Sequence, residues 1–214
     1  MPLSQTGGEK IQLSQKLGIL CAAFAIASCA PIQPRFPESL PEVQIPPQRI
    51  SQRGFSLLPL NEKGWLVFRR SVSELGLGKF GETPEENVVI RAIFFKLPPF
   101  KTNEEFVRLI KETEVRNINP ERLKIITHEV VNYPNKGTDC TKSHMAAEDY
   151  GAAKKVGKTG VMVQEALTLM CAHPKDKDVG INIGYSRRHY PGQGDPRFLE
   201  KATSVLDSVE FADL

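Results

Sequence analysis

The chain has 214 residues, and its 28 Lys and Arg nearly balance 25 Asp and Glu, giving a net charge of +3 with neutral histidines. That balance gives no argument for nucleic acid, which usually calls for a basic patch and a high domain pI, so no nucleic-acid partner is expected. The length suffices for one sizeable hydrophobic core.

The N-terminus reads as an export signal. Lys10 and Lys16 give a positive start, and Leu17 to Ala27 is a run of eleven uncharged residues. This falls short of the ~20 apolar residues of a membrane span but suits a signal peptide. The run Ile26-Ala27-Ser28-Cys29 resembles the bacterial lipobox: an aliphatic residue, two small residues, then Cys. The resemblance implies cleavage after Ser28, a diacylglycerol on the Cys29 sulfur, and acylation of the new amino group by a fatty acid such as palmitate. Leu20 before Cys21 is bulky where the lipobox has a small residue, so Cys29 is the better acceptor. An ordinary secretory signal with Cys29 incidental is the alternative. Ala30 follows in place of Asp, which by resemblance to Gram-negative lipoproteins implies an outer-membrane anchor facing the periplasm.

Removing residues 1–28 takes away Lys10, Lys16 and Glu9, leaving 186 residues, 26 basic against 24 acidic, and a net charge of +2. Residues 29–54 read as the lipidated Cys and a Pro-rich tether of low order, since Pro31, Pro34, Pro37, Pro41, Pro46 and Pro47 fall there. Such a spacer reaches ~3.1 Å per residue where it is polyproline II. A single globular domain is expected over residues 55–214.

Within it, Trp65 to Phe68 is a short strand, and the Gly-rich stretch Glu74 to Glu86 reads as a loop. Val88 to Leu97 is β-branched and aromatic, a central strand stopped by Pro98-Pro99. Thr102 and Glu105 have capping-box spacing before a helix carrying Phe106, Leu109 and Ile110, running to about Glu114. Leu123 to Tyr133 is a strand, Pro134 to Gly137 a turn, and Thr138 to Tyr150 a polar return arm expected at a sheet edge. Ala152 to Gly160 reads as a loop. Val161, Val163, Leu167, Leu169 and Cys171 share one face of the next strand, as do Ile181, Ile183 and Tyr185 of its hairpin partner. Asp195-Pro196 marks a helix start, and Phe198, Ala202, Val205 and Val209 keep its apolar stripe. A short strand at Val209 to Phe211 ends the chain.

Strands joined by hairpins, with two or more helices packed on them, define an α+β domain with a mostly antiparallel sheet. From Trp65 to Phe211 the order resembles the Mog1/PsbP-like fold, carried by the late strand pair, the Asp-Pro helix and the final strand. That resemblance implies a single sheet flanked by helices and an accessory or binding role, without assigning any residue. In an exported chain the remaining cysteines, Cys140 and Cys171, read as a disulfide closing 32 residues, which loop entropy makes worth roughly 3–4 kcal/mol. Two free buried thiols are the alternative.

Catalytic motifs fail on spacing or context. Gly151 to Thr159 has five residues between its glycines, not the four of a P-loop, and a strand follows. His128-Glu129 continues to Asn132 where a zinc-protease helix needs His, and the stretch reads as a strand. Gly184-Tyr-Ser186 ends on Arg188, not on the glycine of a nucleophile elbow. Gly192-Gln-Gly194 is a lone turn motif. His128, His144, His173 and His189 have no metal-ligand spacing, and two cysteines without CxxC make no zinc site. No metal or cofactor is implied. One cluster has recognition chemistry: Tyr185, Arg187, Arg188, His189 and Tyr190, with Arg197 nearby. Arginine donates in a fork matched to carboxylate or phosphate, and a helix start follows. The alternative is a solvated loop whose arginines pair with acidic neighbours.

The functional expectation is a membrane-anchored, non-enzymatic envelope protein binding a partner protein or an anionic ligand. An envelope hydrolase using residues such as Ser186 or His189, or an accessory factor of a membrane complex, are the alternatives.

Overall fold

The computed structural model describes residues 40–214. The export signal, Cys29 and the first part of the expected tether lie outside the described residues. The described chain is α+β, built on a seven-stranded antiparallel sheet in the order β3-β4-β5-β9-β8-β7-β6. Its strands are β3 (Leu66–Arg70), β4 (Glu74–Phe80), β5 (Asn87–Lys96), β6 (Leu123–Asn132), β7 (Cys140–Asp149), β8 (Met162–His173) and β9 (Asp176–His189). A second, three-stranded sheet joins β1 (Ile50–Gln52), β2 (Phe55–Leu57) and β10 (Glu210–Phe211). Helix α1 (Asn103–Arg116) covers one face of the large sheet over β6 and β7, and α3 (Phe198–Asp207) covers the other over β8 and β9.

Strand alternation divides the core. The α3 side holds Trp65, Leu77, Ile90, Leu167, Ile183, Tyr185 and Phe198, together with Phe55 from the small sheet. The α1 side holds Leu97, Phe106, Ile110, Met170 and Ala172. The capping box forms: Thr102 Oγ1 accepts the Glu105 N–H at 3.2 Å, and the Glu105 carboxylate accepts the Lys101 N–H at 2.7 Å. Cys140 and Cys171 sit directly opposite each other in β7 and β8 and are disulfide-bonded.

Four expectations are corrected. The folded unit begins well before residue 55. Val43 is buried and pairs its N–H with the Trp65 carbonyl at 2.8 Å, Glu42 bridges Leu66, and Ile50–Gln52 pairs with β2. Prolines break a helix there but leave backbone free to lie along the β3 edge. The Gly-rich stretch is strand β4, not loop, as far as Phe80. Leu75 and Leu77 fill the core from one face. On the other face the Phe68 ring lies over the strand so closely that a Cβ at Gly76 would sit 2.6 Å from it, so glycine lets the ring pack there. The polar arm β7 lies inside the sheet, with β6 at the edge. Its buried Ser143 and Asp149 are tolerated because Glu114 and two arginines satisfy them. Finally, the 152–160 loop opens with a one-turn helix, α2 (Ala152–Lys155), whose Gly151 and Ala152 N–H groups are accepted by Asp149 Oδ1 at 2.9 and 3.0 Å.

Candidate functional site

The end of β9 disperses the sequence cluster. Alternation sends Tyr185, Arg187 and His189 to the α3 side and Ser186 and Arg188 to the α1 side. Arg188 is committed: its Nε lies 3.1 Å from Asp149 Oδ2, and its Nη2 donates to Gln164 at 3.3 Å. Arg197 forks onto Glu200 at 3.0 and 2.7 Å in solvent. His189 is buried, with Nδ1 at 2.7 Å from the Tyr190 carbonyl. The Tyr190 hydroxyl donates to Glu85 at 2.6 Å, and Lys158 reaches the same oxygen at 2.6 Å. Burial would raise the Glu85 pKa, but these two hydrogen bonds hold it at about 2. Arg188 and Arg197 thus pair with acidic neighbours, and Tyr190 ties the end of β9 to the loop before β5 through Glu85.

Tyr185 and Arg187 behave differently. They line a cleft of about 600 Å³ on the α3 side, between the ends of β4, β5 and β9 and the start of α3. The Tyr185 ring is 2% exposed, wedged between Trp65 and Phe198 at centroid distances of 6.4 and 5.4 Å. Its hydroxyl makes no hydrogen bond to another described residue. Burial, then the charges of Glu62 and Asp195, push its pKa up, so it stays a neutral donor.

Two acids and two lysines form the wall. Glu62 accepts from Lys79 at 3.1 Å and from Lys201 at 3.0 Å, and Lys201 also meets Asp195 at 2.8 Å. Burial raises the Glu62 and Asp195 carboxyls, but the lysine hydrogen bonds outweigh it and both sit below the usual range. Arg187 is half-buried and has no hydrogen bond or ion pair with any described residue. Its cross-strand neighbour Glu165 is already held by His144 at 2.9 Å. Across the cleft the buried Glu86 carboxylate accepts, among the described residues, only from the Thr83 hydroxyl at 3.1 Å. The cleft thus offers one uncommitted guanidinium, one uncommitted carboxylate oxygen and a phenol, all desolvated enough to matter.

Sequence reasoning found Tyr185 and Arg187 but missed Glu62, Lys79, Glu86 and Lys201. Lys201 carried a signal, lying one helical turn beyond Arg197. Glu62, Lys79 and Glu86 carried none, because the β4 strand that brings them together was itself hidden by glycines.

No family model matches the chain, and no curated protein matches it. Among solved structures it is similar to a fragment of a STAR-related lipid transfer protein from Xanthomonas axonopodis, at 13% identity over 68% of this chain and 96% of that one. The TM-score is 0.27, so no ligand or activity is inferred from it.

Proposed function

We propose that this is a non-enzymatic envelope protein, anchored to the membrane through lipid on Cys29, that binds a small polar molecule bearing a carboxylate or phosphate in the Tyr185–Arg187 cleft. The observation that carries the binding role is Arg187. A half-buried guanidinium with no direct hydrogen bond has lost part of its hydration and keeps only the more distant charge of Asp195 in return, and a ligand anion would supply the missing contact. The ligand's acidic group is held by the fork of Arg187 and the Tyr185 hydroxyl, and its hydroxyl or amine donors face Glu86. The anchor rests on the lipobox resemblance, and the Mog1/PsbP-like relationship rests on element order alone. Ser186 and His189 project to opposite faces of β9, which counts against the hydrolase built on them.

Thermal unfolding of the full chain in rising inorganic phosphate and citrate tests the cleft. The midpoint should climb saturably in the wild type and stay flat in Arg187→Gln. An identical rise in both proteins, or none in either, contradicts the assignment.

A further inference from the structure

A second cavity, on the opposite face of the sheet, has different chemistry. Helix α1 is fastened to β6 and β7 through Glu114, whose Oε2 takes the Ser143 hydroxyl and His128 Nε2, each at 2.7 Å. The helix packs Phe106 and Ile110 against Met170 and Ala172 of β8, and beside that contact its C-terminal half leaves a groove of about 530 Å³ over β5, β8 and β9. Ile93, Phe95, Met145 and Met170 of the sheet, with Leu109 and Leu123, give it apolar walls. Phe95 is pressed across Gly180, where a Cβ would lie 2.3 Å from its ring, so the glycine lets that wall lie low. The groove also holds two exposed cations, Lys96 and Arg116. Among the described residues Lys96 has no ion-pair partner, and Arg116 has only a hydrogen bond within its own helix, to Thr113 Oγ1 at 3.3 Å. Glu114, the acid in the lining, is already occupied by its two partners.

An apolar slot with uncompensated positive charge at its margins is complementary to an anionic amphiphile. We propose that the groove under α1 binds a single-chain fatty acid, with the chain along Ile93, Phe95, Met145 and Met170 and the carboxylate at Lys96 or Arg116. This site is independent of the Arg187 cleft, from which the sheet separates it.

The test is equilibrium dialysis of labelled laurate, myristate, palmitate and hexadecanol against the full chain carrying Cys29→Ala, so that no acyl group on that cysteine competes. Affinity should rise about four-fold for each methylene buried. Lys96→Ala with Arg116→Ala should weaken palmitate about two- to twenty-fold and leave hexadecanol unchanged, the range set by partly exposed ion pairs. Met145→Trp should fill the groove and weaken both, and Thr113→Trp provides the same block from the helix if Met145→Trp fails to fold. Arg187→Gln should have no effect. The proposal is overturned by absence of palmitate binding, by equal responses of palmitate and hexadecanol to loss of the cations, or by binding indifferent to both tryptophans. It is also overturned if the tryptophans change only the association of chains, which would mark the groove as a contact with a second copy.

Discussion

Replacing Asp149 with alanine removes the carboxylate at the centre of a buried charge cluster. Its side chain has no exposed surface, and it accepts from Arg122 Nε at 3.1 Å and Nη2 at 2.8 Å and from the Gly151 and Ala152 N–H groups at 2.9 and 3.0 Å. Arg188 lies 3.1 Å away on β9. The two backbone bonds are worth roughly 1 kcal/mol each. Breaking a fully buried ion pair costs about 3–5 kcal/mol, but Arg122 and Arg188 keep 32% and 20% of their side-chain surface in water and recover part of it. The expected loss is about 3–4 kcal/mol, or roughly 6–16 °C in Tm for a domain this size. Asp149→Asn keeps an oxygen for the backbone donors and should lose about half as much. Urea unfolding followed by circular dichroism measures both. A loss under about 0.5 kcal/mol for Asp149→Ala, the range of an ordinary surface change, would refute the reasoning. There is also a pH signature. Burial pushes the Asp149 carboxyl up, but the Arg122 and Gly151 hydrogen bonds and the charges of Arg188 and Arg122 hold it below the usual range. Its stabilisation is complete above the unfolded value of ~3.9 and is lost as pH falls through the folded one, so Asp149→Asn should flatten the acid limb of stability.

Other consequences are accessible to simpler assays. Cys140 and Cys171 should resist alkylation in the folded, unreduced protein, and Cys140→Ala with Cys171→Ala should destabilise it by roughly 3–4 kcal/mol on the loop-entropy model; rapid labelling without reductant sinks the point. Glu85, held at about 2, contributes stability that is whole above ~4.3 and declines toward pH 2, so wild type and Glu85→Gln should converge in acid; parallel curves would contradict the Lys158–Tyr190 account. Cys29→Ala should leave the chain unacylated and release it from membranes on fractionation, whereas retained acylation would place the lipid elsewhere.

Legibility in the sequence followed how local the determining physics was. The α1 capping box, the β-branched run of β5 and the alternation of the β8–β9 hairpin each appear within a dozen residues, and each forms in the structure. Strand β4 did not read, because its glycines answer to Phe68 on a neighbouring strand rather than to the turn chemistry glycine usually signals. The interior place of β7 was hidden by polar residues whose partners, Glu114, Arg122 and Arg188, come from α1, the loop before β6, and β9. Residues of two near-miss motifs have structural work: His128 holds α1, and Lys158 holds Glu85. In the candidate site, the sequence cluster at the end of β9 includes Tyr185 and Arg187 of the cleft together with residues that are paired elsewhere. Only strand alternation and long-range pairing separate Arg187, which is left free, from Arg188 and Arg197, which are not.

The central claim is that Arg187 waits for an anion. Calorimetric titration of inorganic phosphate into the full chain, compared with Arg187→Gln, tests it most directly. A charge-assisted hydrogen bond in a part-buried site is worth about 1.5–3 kcal/mol, so the variant should bind at least about ten-fold more weakly. Equal affinities, or no heat from the wild type at any concentration, would contradict it.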